Sequence, residues 1–394
     1  MNRLVSNSFA DPQGQQAQHL PKLRAMMTQP CAGVGVGLTC RSLLRSAVAE
    51  GFDVDLFTSR SDDDTPEPFN LHSFTPGALR HLPYRLTRHL SVDRLHQSYL
   101  RAITSDQIAY LWPSVPLPIY EALATRGIRI VTEAINTRME RAKAVLDHAY
   151  EQLGLPPKHT ITEARVADQK ARHDLCTAIF SPSPATDASF AGTGLGSRLV
   201  PSSYGTWVPA HLPTQPRHHK SAPVTFLFIG MTGIRKGLHH LLAAWRDAPA
   251  NAHLRIVGFA EPSLRRLFAD VFARPNVSCV GFRADVFSEY LRADAFILPS
   301  LEEGDPIVTY EAAAFGLPVL ASNAGAGRFG AETGAVDAFD TSDIESLCDR
   351  IAKFTASEEQ RRHWGEIARA ASFNYDWSVV APRNYAKLAE FLSI

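Results

Sequence analysis

The run VTFLFIG at residues 224–230 opens a repeating pattern that decides the fold of the C-terminal half of the chain. Four more short apolar runs follow, each preceded by a segment of helical or loop length: HLRIVG (253–258), VSCVG (277–281), AFILPS (295–300) and PVLAS (318–322). Near-continuous apolar strands that alternate with helices indicate a parallel sheet covered on both faces. We therefore expect a Rossmann-like domain here, with its ligand at the carboxyl ends of the strands.

The N-terminal half shows a weaker form of the same pattern. Residues 23–28 and 54–58 are predicted strands and residues 39–50 a predicted helix, which gives a β-loop-α-β start. Three further strands are predicted downstream, at residues 108–112, 128–132 and 178–181. A chain of 394 residues is too long for one ordinary core. We therefore predict an α/β protein with two Rossmann-like domains that face each other across a cleft.

Proline clusters and polar stretches predict where the domains begin and end. Residues 206–223, TWVPAHLPTQPRHHKSAP, contain four prolines without apolar periodicity, which is typical of an interdomain linker. The other predicted segments are a polar N-terminal tail (1–21), an N-terminal domain (22–205), a C-terminal domain (224–375) and a last helix that crosses back to the N-terminal domain (376–394).

Composition excludes several kinds of protein. The chain has 40 Lys and Arg residues against 40 Asp and Glu residues, so its net charge does not favour nucleic acid as a partner. The five cysteines are odd in number and lack a Cys-x-x-Cys pair, so neither a disulfide framework nor a zinc site is predicted. Because we find no apolar run of membrane-spanning length and no signal peptide, we expect a cytoplasmic location.

The stretch SLEEGDPIVTYEAAAFGLPVLAS (300–322) follows a predicted strand and carries the first candidate site. Asp305 and Pro306 are the expected N-cap and first residue of a helix, which would leave the amides of Ile307 and Val308 free to bind ligand oxygens. Carboxylates suit sugar hydroxyls better than phosphate, so a polyol ligand is indicated. Of the two candidate carboxylates, Glu303 lies in the loop between strand and helix, and Glu311 lies on the helix.

The complementary cations occur earlier, in FLFIGMTGIRKGLHHLL. Gly230 ends the first strand of the domain, and Gly233 keeps the following turn open. Arg235 and Lys236 stand where the next helix begins, close to the carboxyl end of that strand. We expect this pair to neutralise the charge that builds on a departing nucleoside diphosphate.

Glu303 and Glu311 have the Glu-x7-Glu spacing of glycosyltransferase family 4, the group 1 glycosyltransferases, which this chain resembles. The stretches IGxxxxRKG, LRIVG, VGF, ILPS and GLPVLAS occur in that family's order, and a weaker similarity extends to EAINTRMERAK at 133–143. The resemblance implies a retaining, metal-independent enzyme of the two-domain GT-B architecture. It also implies a nucleotide-diphosphate sugar as donor, no other cofactor, and a glycan, lipid-linked or small-molecule acceptor, as in polysaccharide biosynthesis.

The resemblance also implies roles for matching positions. In the family the first glutamate contacts the donor sugar and the second contacts the ribose hydroxyls, roles that fall to Glu303 and Glu311. Arg235 and Lys236 would hold the diphosphate. The remaining predicted donor-binding residues are Gly35, Gly37, Gly230, Gly233, Phe282, Ile307 and Val308.

Two positions depart from the family pattern. Met231 stands where many members have an arginine, directly after the glycine that matches Gly230, so Arg235 is expected to supply that charge. Asp305 and Pro306 replace the common Phe-Gly pair, which we expect to alter the preference for the donor sugar.

Candidate residues on the acceptor side lie in the N-terminal half. Glu133 and Asn136 follow a predicted strand, where other family members place a polar group beside the reacting sugar; a structural hydrogen bond is the alternative. Residues 80–101, with Arg85 and Arg88, predict a basic surface for an anionic or membrane-linked acceptor at the inner face of the membrane. A solvated helix face is the alternative there. The predicted catalytic set is Glu133, Arg235, Lys236 and Glu303.

Three other functions fit parts of the sequence. Glycines 33, 35 and 37 follow a strand as in dinucleotide-binding proteins, but Leu38 stands where that fingerprint requires glycine. Asp53 and Asp55 lie near the distance expected for a ribose-binding acid. A sugar-nucleotide epimerase of the same architecture, or a non-catalytic subunit that binds a sugar nucleotide, would share the donor pocket. No metal site is predicted, because the histidines lack a ligand pattern.

Overall fold

One parallel sheet organises each half of the chain. The computed structural model describes residues 20–31, 35–61, 66–79, 81–212, 223–231 and 233–394. Most of the expected tail (1–19), Gly33 and most of the expected linker (213–222) lie outside these described residues. The two sheets, each flanked by helices, confirm the α/β class and the two Rossmann-like domains predicted from the sequence.

The N-terminal sheet has seven parallel strands in the order β3-β2-β1-β4-β5-β6-β7. The strands are β1 (Leu23–Met27), β2 (Val54–Thr58), β3 (Asn70–Ser73), β4 (Ile108–Leu111), β5 (Arg129–Glu133), β6 (Ala178–Ser181) and β7 (Leu199–Pro201). The helices are α1 (Gly35–Ala49), α2 (Tyr84–Ala102), α3 (Leu117–Thr125), α4 (Met139–Gln152), α5 (Glu163–Asp174) and α6 (Pro184–Ser189). Strands β2, β4 and β6 are buried at every position, as their apolar sequences predict.

The C-terminal sheet has six parallel strands in the order β10-β9-β8-β11-β12-β13. The strands are β8 (Val224–Ile229), β9 (Ala252–Val257), β10 (Val277–Cys279), β11 (Ala295–Leu298), β12 (Val319–Ser322) and β13 (Asp337–Phe339). Its helices are α7 (Leu238–Ala244), α8 (Pro262–Leu267), α9 (Ala269–Phe272), α10 (Phe287–Arg292), α11 (Ile307–Ala314), α12 (Asn323–Thr333), α13 (Ile344–Ala356) and α14 (Glu358–Ser372). No helix within the described ranges has the length and apolarity needed to cross a bilayer.

Three short strands escape the sequence pattern. Strands β3, β7 and β13 have four, three and three residues and lie at edges of the sheets. Strand β3 alternates between exposed and half-buried positions, because an edge strand has a neighbour on one side only. Such strands lack the continuous apolar run by which the central strands are recognised.

The last helix, α15 (Trp377–Leu392), packs against α1 and β7 of the N-terminal domain. Asp376, its N-cap, forms a bridge with Thr206 and accepts a hydrogen bond from the amide of Val208 at 2.9 Å. The first residues of the expected linker are therefore held against the start of α15. The chain thus passes between the domains twice within a small region.

Candidate active site

A cleft of about 330 Å³ opens between the domains at the carboxyl ends of the strands. On the C-terminal side it lies where β8 and β11 are neighbours, the point at which the strand order reverses and where doubly wound sheets bind ligands. The cleft brings together seven of the predicted site residues: Gly35 and Asn136 from one domain, and Arg235, Lys236, Glu303, Ile307 and Val308 from the other.

The carboxylate of Glu303 is the electrostatic centre of this cleft. Its Oε1 pairs with the ammonium group of Lys236, and its Oε2 lies 3.2 Å from the guanidinium of Arg235. Ser300 donates a further hydrogen bond to Oε1 at 2.8 Å. Burial alone would raise the pKa of Glu303, but the two cations outweigh it and hold the pKa below its ordinary value. Glu303 is therefore ionised and in contact with both cations.

Close backbone packing places the two cations. Residues Ile234–Lys236 form a short 3₁₀ turn that ends at Gly237 with φ of 67°. A Cβ atom on Gly237 would lie 1.6 Å from the carbonyl oxygen of Pro299, so only glycine lets this turn pack against the end of β11. The amide of Leu301 donates to the carbonyl of Arg235 at 2.9 Å, which joins the two loops.

The start of α11 differs from the expected capping arrangement. The helix begins at Ile307 with Pro306 at the N-cap, and Asp305 does not cap it. Instead, Asp305 accepts hydrogen bonds from the amide of Tyr204 at 2.8 Å, the hydroxyl of Tyr310 at 2.5 Å and the amide of Arg328 at 3.0 Å. The prediction of Asp305 as N-cap was wrong, because donors distant in sequence take its oxygens.

Asp305, one of the positions that depart from the expected family pattern, therefore connects the domains. Tyr204 belongs to the segment after β7, whereas Arg328 lies in α12 directly after a kink at Gly327 (φ 60°). The side chain of Arg328 also donates to the carbonyls of Ser181 and Pro182 at 3.1 and 3.2 Å. These contacts tie the loop after β11 to the opposite domain.

Glu302, next to the expected motif, was not predicted from the sequence. Only 3% of its surface is exposed, and its Oε1 accepts hydrogen bonds from the amide and the hydroxyl of Thr137 across the cleft. Its Oε2 lies 3.5 Å from Arg235. Burial raises the pKa of Glu302, although Arg235 and Thr137 oppose that shift. The sequence signal that could have revealed Glu302 is the pair of adjacent glutamates after β11. Glu302 binds the opposite domain, and Glu303 binds the cations of its own domain.

Glu133 is set back from this cleft. Its carboxylate is 4% exposed and accepts hydrogen bonds from the hydroxyls of Tyr110 and, at 3.2 Å, Tyr204. Burial raises the pKa of Glu133 to about 8, although both tyrosines act in the opposite direction. Tyr204 lines the cleft, whereas Glu133 lines a neighbouring cavity that also reaches Asn136 and Arg235. These hydrogen bonds agree with the structural alternative for Glu133, and its catalytic role stays a prediction. Asn136 is the nearby residue that lines the cleft.

The other predicted donor residues do not line the cleft. Glu311 accepts a hydrogen bond from the hydroxyl of Tyr290 at 2.7 Å, and burial raises its pKa. Phe282 is 67% exposed beyond the end of β10. The remaining predicted glycines lie against other parts of the protein. Gly37 lies within α1, Gly230 lies beside the aliphatic part of the Lys236 side chain, and Gly233 lies beside the carboxylate of Glu261.

A second cavity, of about 510 Å³, lies beside the cleft in the N-terminal domain. It shares Asn136 and Arg235 with the cleft and extends to Arg165 and Arg172 of α5. Arg85 and Arg88 are in neither cavity; they line a third one at the start of α2. The sequence predicted an acceptor side in this domain but did not distinguish these two cavities.

The structure gives little support to Asp53 or Asp55 as the ribose-binding acid of a dinucleotide site. The carboxylate of Asp55 is buried in β2, where it binds Arg24, Lys22 at 3.2 Å and Asn70 at 2.8 Å. Asp53 pairs with Lys22 at 3.0 Å. These acids therefore have partners within the fold.

Comparison with known proteins begins with the C-terminal half. Residues 214–371 match the family model described as glycosyl transferases group 1. The sulfoquinovosyl transferase SQD2 of Arabidopsis thaliana is 29% identical over 161 residues, which span 38% of this chain and 30% of that protein. The chain therefore matches less than a third of this relative's length.

Two solved structures share the fold over almost the whole chain. Sucrose-phosphate synthase from Thermosynechococcus elongatus has a TM-score of 0.70 at 18% identity, covering 95% of this chain and 100% of that one. HepE from Anabaena in complex with UDP-glucose has a TM-score of 0.62 at 14% identity, covering 94% and 99%. These likenesses establish the GT-B fold. The match over residues 214–371 makes the C-terminal domain of this chain similar to the glycosyl transferases of group 1.

Proposed function

We propose that this chain is a glycosyltransferase that moves a sugar from a nucleotide-diphosphate donor to a hydroxyl group of an acceptor in glycan biosynthesis. The observation that carries the proposal is the meeting of Arg235, Lys236 and Glu303 in a cleft shared by two domains. Cations bind phosphate oxygens, and a carboxylate accepts hydrogen bonds from sugar hydroxyls. The three groups together suit a diphosphate joined to a sugar.

In the proposed reaction, Lys236 and Arg235 neutralise the charge that develops on the departing nucleoside diphosphate. The first amides of α11, those of Ile307 and Val308, have no acceptor within the helix, and together with the carboxylate of Glu303 they hold the donor's phosphate and sugar oxygens. The acceptor approaches from the side of Asn136. Closure of the domains around donor and acceptor would exclude water, which favours transfer over hydrolysis. Retention of the anomeric configuration is the outcome that the family resemblance implies.

A donor screen tests the proposal directly. UDP-glucose is the first candidate, because HepE, which shares the fold, was solved with it. A donor at 100 times its Kd stabilises the folded chain by about 2.7 kcal/mol, which a thermal-shift assay detects. Glu311→Ala is expected to reduce that shift if Glu311 binds the ribose. Absence of a shift with UDP-, ADP- and GDP-sugars would overturn the proposal.

Release of nucleoside diphosphate separates the remaining functions. A transferase releases it only when an acceptor is added, and the product's anomeric configuration, read by NMR, tests retention. Consumption of donor without an acceptor would instead indicate an epimerase. Donor binding without release in the presence of monosaccharide, oligosaccharide and lipid-linked acceptors would indicate a non-catalytic binding subunit.

We also propose a cytoplasmic protein that contacts the inner face of the membrane through α2. Its support is a row of exposed leucines spaced four residues apart, on or just before this arginine-rich helix: Leu82, Leu86 and Leu90. Apolar side chains flanked by basic ones suit the interface of an anionic membrane. Flotation with anionic vesicles tests it: Leu86→Ser should reduce binding, and equal flotation of variant and parent would contradict it.

A further inference from the structure

Helix α2 presents a row of side chains to a cavity that the proposed chemistry does not use. Spacing of three or four residues puts such side chains on one face of a helix. The buried row contacts the core: Thr87, Ser91, Leu95 and Tyr99. The row that lines the cavity, of about 510 Å³, is Arg85, Arg88, Val92 and His96.

The opposite wall of this cavity is formed by residues that follow β1 and β4. The hydroxyl of Thr28 donates to the carbonyl of Ser114 at 3.0 Å, and the side-chain amide of Gln29 donates to its Oγ at 2.9 Å. Ser114 itself has φ of 82°, which is unusual for a residue other than glycine. The wall is therefore held in a defined shape at the same sheet edge as the active-site cleft.

The cavity is lined by cations without anions. Within the described residues, neither Arg85 nor Arg88 has an acidic partner, and no Asp or Glu is among the side chains that line the cavity. The Nε2 atom of His96 is buried and has no hydrogen-bond partner in the part of the chain that the structure describes. By contrast, Arg41 and Arg45 in the same domain both pair with Glu67.

The cavity also continues toward the donor. Gln29, Ser114 and Pro116 line both it and the cavity beside the active-site cleft, which reaches Arg235 and Glu302. A molecule lying along this groove would have one end near the donor and the other between the arginines of α2. The groove therefore connects Arg85 and Arg88 with the place where transfer is proposed to occur.

We propose that the cavity lined by Arg85, Arg88 and His96 binds a phosphate group of the acceptor. This inference rests on the proposed function and names the class of acceptor, a phosphorylated one. Arginine binds phosphate through two parallel charge-assisted hydrogen bonds, and the free imidazole nitrogen of His96 offers a third contact. The phosphate would fix one end of the acceptor while a hydroxyl at the other end points toward Arg235.

Binding of glycerol 3-phosphate, measured by calorimetry, tests the site without donor or transfer. All proteins in this experiment carry Lys236→Ala, which weakens competing binding of phosphate at the proposed donor site. The double variant Arg85→Ser/Arg88→Ser should raise the Kd about tenfold or more, as expected for the loss of charge-assisted bonds. The charge-matched control is Arg94→Ser/Arg101→Ser, two exposed arginines of α2 that do not line the cavity.

A second arm distinguishes the source of the phosphate. The same proteins are sedimented with phosphatidylcholine vesicles that contain phosphatidate. If Arg85→Ser/Arg88→Ser weakens only the binding of glycerol 3-phosphate, the acceptor is a soluble phosphate. If it weakens the binding of both glycerol 3-phosphate and vesicles more than the control variant does, the acceptor is a lipid phosphate. Equal behaviour of the two double variants in both assays would overturn the site. A failed transfer assay would leave these binding results unaffected, so the two proposals fail separately.

Discussion

Glu302 and Thr137 join the two domains through two hydrogen bonds to one carboxylate oxygen. The amide of Thr137 donates to Oε1 at 3.0 Å and its hydroxyl donates at 2.8 Å. Glu302 follows β11 and Thr137 follows β5, so the pair bridges the cleft. Since Oε2 lies 3.5 Å from Arg235, this contact between the domains also reaches a cation of the proposed donor site.

We expect Thr137→Val to lower the free energy of unfolding by about 1–3 kcal/mol, because the buried carboxylate of Glu302 loses a donor that valine cannot replace. Thr137→Ser keeps the hydroxyl group and is the control. Urea unfolding of the three proteins provides the measurement. If the valine variant unfolds at the parent's midpoint, the hydroxyl bond does not stabilise the fold.

The ion pairs of Glu303 lead to opposite effects on binding and on transfer. A donor diphosphate must share Lys236 and Arg235 with this carboxylate. Glu303→Gln should therefore bind UDP more tightly but transfer sugar about tenfold more slowly or worse, since a charge-assisted bond to the donor sugar is lost. Glu366→Gln, which changes an exposed carboxylate, is the control. Unchanged or weaker UDP binding in calorimetry would contradict the competition.

We expect transfer to continue in the presence of EDTA. The positive charges of Lys236 and Arg235 lie where the leaving group's negative charge is proposed to develop. They therefore supply the stabilisation that a bound metal ion would otherwise provide. Initial rates before and after chelation give the measurement. A complete loss that magnesium or manganese restores would show that a metal ion is required.

The raised pKa of Glu133 predicts how stability changes with pH. The pKa of Glu133 is about 8 in the folded chain, whereas the pKa of an exposed glutamate is about 4.3. Between these values the folded state retains a proton that the unfolded state has lost, so stability falls as pH rises, by up to roughly 1.4 kcal/mol per pH unit. Glu133→Gln should remove this slope in urea unfolding across that range. Parallel pH profiles for variant and parent would refute it.

The sequence was sufficient to predict the sheet edge at which the site lies. Central parallel strands are buried on both faces, so β8 and β11 are buried at every position and consist mainly of apolar residues, which the sequence reveals directly. The cations after β8 and the glutamate after β11 then follow from the order of these strands. Seven of the predicted residues consequently line one cleft, although their binding roles remain predictions.

Contacts between distant segments could not be predicted in this way. Asp305 has the local sequence of a helix cap, but donors from Tyr204 and Arg328 lie close enough to bind it instead. The local sequence suggests a surface position for Glu302, but in the folded protein Thr137 of the other domain donates a hydrogen bond to it. In both cases the partner is more than twenty residues away, beyond the reach of capping rules or helical periodicity.

Gly304 packs against the main chain of the opposite domain and provides a test of domain closure. A Cβ atom there would lie 1.9 Å from the carbonyl oxygen of Ile135 and 3.0 Å from the amide nitrogen of Asn136, so Gly304→Ala should hold the domains apart. We expect the acceptor-dependent rate to fall about tenfold or more, because the reacting groups separate. UDP affinity should change less than about twofold, since the proposed donor contacts lie mainly in one domain. Gly77→Ala, where no atom lies within 4 Å of the added carbon, is the control. A parental transfer rate in Gly304→Ala, measured beside UDP calorimetry, would show that this close approach is not needed for transfer.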